Sequence, residues 1–369
     1  MSSAVPTYLF QPRNTVWRTA LHVIGVMALL ATLLYLPYVL QSRSLFGVRL
    51  SNMQLLNIGL SQVNLTLISI IGAVSLNYLT GCAGLVSVGH AAFFALGSMA
   101  AAVTGMHVKL PFLATLVAAM LAGALAGVVA GLPSLRVRGL YFVLSTLAIH
   151  FIVVFIFAEY QYAFHDVTGV ALGDAKIGSF EIDTGIKWYF FLLPIAALSC
   201  WLMRNTLFHR EGRAVLAMRD NELAAAAAGI DVRILKLKVF AFSSAFASLA
   251  GALQAYYLTN VAAEMYSLNF AIQFIAMIIV GGMGTIGGGV IGAIVWLLLP
   301  SILMGAATEL KSGPGGFAQF LLANRPQVVN LIFGSIVALI LIFAPHGFAG
   351  FLRSLWQRMM RLLPSRGRA

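Results

Sequence analysis

The chain has 369 residues, of which 60% are hydrophobic and only 9% are charged, and its mean hydropathy is +0.94. Soluble globular domains carry about 25% charged residues, so this composition excludes a soluble fold. The formal net charge of +12 does not indicate a nucleic-acid partner, because the basic residues lie between apolar runs rather than on a polar domain.

Apolar runs of about 20 residues, the length that a helix needs to cross a hydrocarbon core of about 30 Å, recur along the chain. Backbone amides inside a bilayer must be satisfied within each span, so the runs predict an all-α fold, a polytopic membrane helical bundle. The run at 21–40 is followed by Gln41, Ser42 and Arg43 rather than by a small-residue cleavage site, which indicates an uncleaved span. We predict about ten transmembrane spans, at 21–40, 55–79, 91–106, 112–132, 140–158, 188–203, 239–259, 269–281, 289–305 and 327–345.

The segments between the spans differ in charge. If the N-terminus is cytoplasmic, most of the 23 lysines and arginines fall in cytoplasmic segments, whereas acidic residues gather in external ones. The positive-inside rule therefore predicts that both termini are cytoplasmic. One transmembrane domain over 1–369 then consists of an N-terminal segment at 1–20, a membrane bundle at 21–345 with an external loop at 159–187 and a cytoplasmic loop at 204–238, and a basic cytoplasmic tail at 346–369.

Two glycine-rich stretches, 81–90 and 281–289, interrupt the apolar pattern. They predict broken or re-entrant backbone that faces protein or a water-filled cavity. Paired interruptions in the two halves of a transporter indicate a transport pathway. The alternative is close helix packing through small residues, as we also expect at 123–127. The candidate pathway residues are Gly84, Ser87, Gly89, His90, Gly281, Gly282 and Gly284.

Five amide side chains lie within or at the ends of spans, where each needs a hydrogen-bond partner. They could bond between helices or help a polar solute to cross, and the sequence leaves both interpretations open. These residues are Asn64, Asn77, Gln254, Asn260 and Gln273.

The cytoplasmic loop contains strong helix formers over 211–231, with Gly229 as a typical C-terminal stop. This pattern predicts one short helix lying along the membrane face. Its small alanines would let another protein approach closely, and the flanking Arg213, Arg219 and Arg233 could pair with acidic groups or lipid head groups.

Within this loop the residues from Arg219 to Ile230 resemble the cytoplasmic coupling motif of ABC importer permeases, in the form found in the branched-chain amino-acid permease family. The family pattern is Glu-Ala-Ala, three residues, then Gly; here Leu223 stands at the acidic position and Glu222 lies beside it. Residues 84–93, 135–142 and 281–284 agree with the same family. The coupling positions that the resemblance implies are Arg219, Glu222, Ala224, Ala225 and Gly229.

The resemblance implies a multi-pass subunit of the bacterial inner (plasma) membrane that imports amino acids, most naturally leucine, isoleucine and valine. Related permeases carry urea, short amides or other small organic solutes. The implied partners are a second permease subunit, two cytoplasmic ABC ATPase subunits, a periplasmic or extracellular solute-binding protein and membrane lipid. The chain has no Gly-x-x-x-x-Gly-Lys-Ser/Thr loop, so we expect no cofactor on it and ATP on the partner subunits.

Two other classes of function agree less well with the sequence. An ion-coupled secondary transporter would usually carry ionisable residues inside its spans, and none lies near a predicted midplane. For an intramembrane enzyme, the chain lacks a His-Glu-x-x-His zinc pair, and Ser87 and His90 have no neighbouring carboxylate to orient them. We therefore expect no catalytic or metal site, and Ser87 and His90 either satisfy a broken helix or line a pathway.

Overall fold

The computed structural model describes residues 34–38, 40, 44–45, 48–49, 59–137, 139–164, 169–309, 325–343, 347–348 and 350. The chain divides into two compact units, Met1–Met53 and Gln54–Ala369. In the first unit, residues 34–38 are helical, and β1 (Ser44–Leu45) pairs antiparallel with β2 (Val48–Arg49). Most of the predicted span at 21–40 and nearly all of the basic tail lie outside the described residues.

The second unit is a helical bundle, which confirms the predicted all-α membrane fold. Two short strand pairs among its described residues are antiparallel: β3 (Val170–Ala171) with β6 (Asn260–Val261), and β4 (Lys176–Ile177) with β5 (Phe180–Glu181). Its helices are α1 (Leu60–Leu76, continued by a π-helix at Asn77–Cys82), α2 (Ala91–Met106), α3 (Phe112–Gly131, followed by a 3-10 turn at Leu132–Leu135), α4 (Leu140–Phe164), α5 (Gly185–Phe208), α6 (Arg210–Asp220), α7 (Glu222–Ala227), α8 (Val232–Leu258), α9 (Leu268–Gly281), α10 (Ile286–Glu309) and α11 (Arg325–Phe343).

Within the described residues, six helical segments are long and apolar enough to cross a membrane. Two further apolar helices, α2 and α9, are shorter. At a rise of about 1.5 Å per residue, α2 is about 24 Å long, less than the hydrocarbon core of about 30 Å. The total of ten spans therefore stays a prediction. The six long segments are Leu60–Cys82, Phe112–Leu135, Leu140–Phe164, Gly185–Phe208, Val232–Leu258 and Ile286–Leu303.

The two main loops are shorter than the sequence predicts. The span predicted at 239–259 begins at Val232, because the Asp231 carboxylate accepts hydrogen bonds from the amides of Arg233 and Ile234 and so starts a helix. The predicted loop 204–238 thus includes the first turns of α8. The predicted loop 159–187 likewise loses residues to the end of α4 and the start of α5.

Helix α1 lies at the centre of the bundle, since 89% of its apolar window is buried against 22% for α4. Helix α8 packs beside it and against α2 and α3. Glycines make this packing close: a β-carbon on Gly123 or Gly127 would overlap the hydroxyl of Ser248 or Ser244 in α8. Small residues at 123–127 therefore serve helix packing, as predicted.

The bundle has two distinct ends. One end, here called the basic end, carries α6, α7, and the turns at 83–90 and 282–285. The other, called the far end, carries the β3–β6 pair and the Asn64 amide, which donates to the Gly185 carbonyl at 2.9 Å. The remaining helices run between these ends, so residues separated widely in sequence meet at each of them.

Candidate functional site

The loop helix predicted over 211–231 is in fact two helices, α6 and α7, and that prediction is wrong. The break is at Asn221, whose backbone is extended with φ −157° and ψ 111°. Its side-chain oxygen accepts hydrogen bonds from the amides of Leu223 and Ala224, each at 3.0 Å. An asparagine that caps the following helix in this way ends the preceding one.

Gly229 ends α7, as predicted, and its role is conformational. Its φ is +85°, its amide donates to the Ala226 carbonyl at 3.0 Å, and the Ile230 amide donates to the Ala225 carbonyl at 3.1 Å. This is the Schellman arrangement, in which glycine adopts the left-handed backbone without strain. Apart from Gly229 itself and its neighbours along the chain, no atom of the described residues lies within 4 Å of the place that a β-carbon would take. The backbone, and not packing inside this chain, therefore requires the glycine.

The Glu222 side chain points into the protein. Its carboxylate pairs with the Lys236 ammonium at 2.7 Å, and the same ammonium donates to the Ser134 carbonyl at 3.2 Å. The side chain of Lys236 is only 6% exposed, and that of Glu222 is 29% exposed. These contacts join the first turn of α7 to α8 and to the 3-10 turn after α3.

Sequence reasoning missed Lys236 and Ser134 as members of this site. Lys236 lies in the first turns of α8 between Arg233 and Lys238, where a lysine normally reaches water. The sequence offers one weak signal, a lysine about one turn after Val232, where Asp231 can cap a helix. Its partner Glu222 lies in a different helix, so no helical spacing could have indicated the pair.

The alanines of α7 face in two directions. Ala225 is buried at 3% exposure, whereas Ala224 and the three residues 226–228 are exposed. Leu223, at the acidic position of the family pattern, is 70% exposed. The exposed residues Leu223, Ala224, Ala226, Ala227 and Ala228 form a smooth surface, here called the alanine face.

Arg219, at the end of α6, lies against both glycine-rich turns. A β-carbon on Gly84 would be 3.1 Å from Cγ of Arg219, and one on Gly284 would be 2.9 Å from its Nη1. Both glycines have a positive φ, +73° and +82°. Glycine thus gives the turns their shape and leaves room for the arginine. The predicted coupling motif and the two predicted pathway stretches therefore meet at one place.

Asn77 holds the second turn in position. It lies in the π-helix, a feature common at functional sites. Its amide nitrogen donates to the carbonyls of Thr285 at 2.7 Å and Gly282 at 3.3 Å, and its oxygen accepts from the Gly284 amide at 2.8 Å. These bonds satisfy the backbone between α9 and α10. Of the two interpretations left open for Asn77, the structure supports hydrogen bonding between helices.

Three of the candidate pathway residues are packed inside the bundle. His90 bonds through Nε2 to the Ser75 hydroxyl at 2.8 Å, and Gly89 packs against the backbone of Thr146 in α4. Ser87 is also buried. Within the described residues, the Ser87 hydroxyl and His90 Nδ1 have no hydrogen-bond partner. This group therefore joins α1, α2 and α4.

The second glycine stretch is also divided between two roles. Gly281 packs against α10 at Gly288 and Gly292, where a side chain would overlap the backbone. Gly282 and Gly284 form the turn that contacts Asn77. The structure thus gathers Gly84, Gly282 and Gly284 beside Arg219 and Asn77, and places the other candidates at helix contacts.

Comparison with known proteins gives one consistent result over most of the chain. A family described as "Branched-chain amino acid transport system / permease component" matches residues 59–344. The high-affinity branched-chain amino acid transport system permease protein LivM of Escherichia coli K12 is 27% identical over 291 residues, which cover 71% of this chain and 68% of that protein. The probable branched-chain amino acid transport permease protein LivM of Methanocaldococcus jannaschii is 26% identical over 220 residues, or 58% and 61% of the two chains.

A shorter similarity extends to a sugar permease. The ribose import permease protein RbsC of Escherichia coli K12 is 30% identical over 122 residues, which cover 33% of this chain and 36% of that protein. No solved structure matches the chain.

Proposed function

The chain belongs to the family of branched-chain amino acid transport system permease components, and from this premise we propose that it is a membrane subunit of a bacterial ABC importer for leucine, isoleucine and valine. The multi-pass bundle forms the solute path together with a second permease subunit in the inner membrane. Two ATPase subunits drive it from the cytoplasm. A solute-binding protein delivers the amino acid from outside.

The observation that carries this proposal is the cluster around Arg219. Helix α6 and the alanine face of α7 lie at the basic end, which the positive-inside rule assigns to the cytoplasm. Arg219 contacts the turns at Gly84 and Gly284, and the Glu222–Lys236 pair joins α7 to α8. A displacement of α6 and α7 would therefore reach both turns and a central helix at once.

The mechanism that follows is alternating access. Closure of the ATPase subunits presses on α6 and α7, and Arg219 transmits the displacement to the turns after α1 and after α9. Both turns consist of glycine-containing, non-helical backbone, so a change in their conformation requires less free energy than a change in a helix would. The basic end then opens to the cytoplasm while the far end closes.

The alanine face suits a protein partner. Alanine and exposed Leu223 present apolar surface without long side chains, so the backbone of a partner can approach closely. Val86 and Met283, one on each glycine-rich turn, are also exposed at the basic end. We assign this surface to an ATPase subunit.

The far end carries ordered charges that suit a soluble binding protein. Lys176 pairs with Glu181 at 2.6 Å, and Lys187 pairs with Asp183 at 2.5 Å. The hydrogen bond to Glu181 raises the pKa of Lys176, and the hydrogen bond from Lys187 lowers the pKa of Asp183. Charges held in this way contribute to the specificity and rate of association more than to affinity.

The proposal is tested by purifying the tagged chain from its native membranes, identifying the co-purifying proteins by mass spectrometry, and measuring ATP hydrolysis in proteoliposomes. We expect ATPase subunits and a second permease, with hydrolysis stimulated by a leucine-loaded binding protein. Stimulation by ribose, urea or a short amide instead of leucine would identify that compound as the substrate. A chain that purifies alone and moves solute under an ion gradient would be a secondary transporter.

A bulky substitution on the alanine face tests the ATPase docking surface separately. Ala227→Trp places a large side chain on the alanine face without burying it, so the chain should fold normally but lose the co-purifying ATPase. Leu144→Trp is the matched control, because Leu144 is 51% exposed on a different helix, α4. Retention of the ATPase by Ala227→Trp would contradict the assignment of this surface.

A further inference from the structure

A cavity of about 250 Å³ lies between α1, α8, α9 and α10. It is separate from the Arg219 cluster. Its polar lining residues are Ser69, Gln254 and Gln273, and its apolar walls include Phe270, Phe274 and Trp296. We call it the amide pocket.

The pocket lies in the far half of the bundle. Gln254 is four residues before the end of α8, and Gln273 is five residues after the start of α9. At about 1.5 Å per residue, both amides are about 6 to 8 Å below the far end of their helices. Ser69, nine residues into α1, is about 14 Å deep. The pocket therefore lies nearer to the far end, the side from which an importer receives its solute, than to the basic end.

The polar groups of the pocket have no hydrogen-bond partner within the described part of the chain. The side-chain oxygen of Gln254 is buried and unpaired. Neither the Gln273 amide nor the Ser69 hydroxyl makes a hydrogen bond there. By contrast, Asn77 bonds to three backbone groups, and the Gln161 oxygen accepts from the Ala263 amide at 2.9 Å.

Unpaired amides inside a membrane bundle need a polar partner. Polar side chains in spans face the bundle interior or a water-filled cavity, because lipid offers no hydrogen bonds. Two amides and a hydroxyl around one space therefore indicate that the space holds water or a polar solute.

The lining also limits the chemistry of the occupant. Phe270 and Phe274 are packed edge to face, with ring centroids 5.0 Å apart, and offer an apolar wall. No charged side chain lines the pocket among the described residues. Amides and a hydroxyl both donate and accept hydrogen bonds, so they suit a solute without net charge. The volume is below the roughly 300–1,000 Å³ of drug-sized pockets, which restricts the solute to about the size of one amino acid.

We propose that the amide pocket is the first binding site of the transported solute within the membrane. It takes a zwitterionic amino acid with an aliphatic side chain: the amides of Gln254 and Gln273 and the Ser69 hydroxyl bond the polar head, and the aromatic wall contacts the side chain. This inference rests on the proposed function and names the place where that function begins. Uncharged hydrogen bonds hold the solute weakly enough to release it.

The first test measures leucine uptake by the reconstituted importer at a series of leucine concentrations. Gln254→Leu and Gln273→Leu should each raise KM about tenfold, the effect of losing one hydrogen bond at its upper range. Ile272→Leu is the matched control, because Ile272 adjoins Gln273 but is 52% exposed and does not line the pocket.

The second test does not depend on transport by a variant. Gln273→Cys and Ile272→Cys are each made in a chain whose two cysteines, Cys82 and Cys200, are replaced by alanine. A membrane-impermeant thiol reagent added from outside should label Gln273→Cys, and leucine should slow that labelling severalfold. Labelling of Ile272→Cys should not respond to leucine.

The outcomes separate the two proposals. Leucine uptake by the unmodified importer, with an unchanged KM in both glutamine variants and no protection of Gln273→Cys, would overturn the amide pocket alone. An importer that takes up no branched-chain amino acid would overturn the proposed function, and the assignment of the pocket with it.

Discussion

Replacing Glu222 by alanine removes the carboxylate that pairs with the Lys236 ammonium, while the ammonium stays where it is. The Lys236 side chain is 6% exposed, and its other hydrogen bond among the described residues is to the Ser134 carbonyl at 3.2 Å. A buried charge that loses its partner destabilises a protein by about 3 to 5 kcal/mol. We therefore expect Glu222→Ala to lower the stability of the extracted chain strongly.

The reverse change is predicted to be milder. Lys236→Met keeps the apolar stem in its packed position and removes the charge. Glu222 is 29% exposed, so water can reach the carboxylate that is left. Partly exposed ion pairs contribute about 1 kcal/mol or less. Adding Lys236→Met to Glu222→Ala should accordingly restore most of the stability that Glu222→Ala loses.

Thermal unfolding of the detergent-extracted chain, followed by fluorescence size-exclusion chromatography, measures these differences. The neighbouring pair Glu211–Lys238 provides the control. Oε1 of Glu211 and Nζ of Lys238 are 2.6 Å apart, but the two side chains are 68% and 57% exposed. Glu211→Ala should shift the midpoint little. Equal shifts for Glu211→Ala and Glu222→Ala would refute the reasoning. A Glu222→Ala chain of normal stability that no longer binds the ATPase would show that Glu222 contacts the partner, as the family resemblance implies.

Three further substitutions test the site. Gly229→Val should uncouple leucine uptake, because a β-branched residue at φ +85° is strained by about 1 to 2 kcal/mol. Gly229→Asn should retain uptake, since asparagine tolerates this backbone conformation. Equal transport by both variants would contradict a conformational role for Gly229. Asn77→Leu leaves the turn at 282–285 without three hydrogen bonds, and its thermal midpoint should fall well below that of Gln62→Leu, whose bond is exposed. Arg219→Ala should keep ATP hydrolysis and lose uptake, and ATP-driven uptake at the normal rate would remove Arg219 from the coupling path.

Much of the bundle could be predicted from apolar runs. The span predicted at 91–106 coincides with α2, and six of the other predicted spans overlap the long segments of the structure. Length and hydropathy suffice here because a bilayer requires an uninterrupted apolar helix. The first turns of α8 were assigned to a loop because Arg233, Lys236 and Lys238 make them polar, although Asp231 caps a helix there.

The site was predicted in parts. Gly229 was identified as a helix stop from local chemistry, and the coupling and glycine stretches were identified separately. The break at Asn221 was missed, since asparagine is tolerated in helices and its capping role depends on the backbone that precedes it. Gln254 and Gln273 were recognised as amides that need partners, but the sequence could not show that they share one cavity.

The sequence by itself determined the features that depend on neighbouring residues: an apolar bundle, the small-residue contact at 123–127, and a helix end at Gly229. Tertiary structure alone decided which distant groups meet. Arg219 reaches Gly84 and Gly284, and Glu222 reaches Lys236, only because the helices between them return the chain to the same end of the bundle. Hydropathy and helical periodicity describe a helix and its surroundings, but the geometry of helix packing selects the contacts between helices.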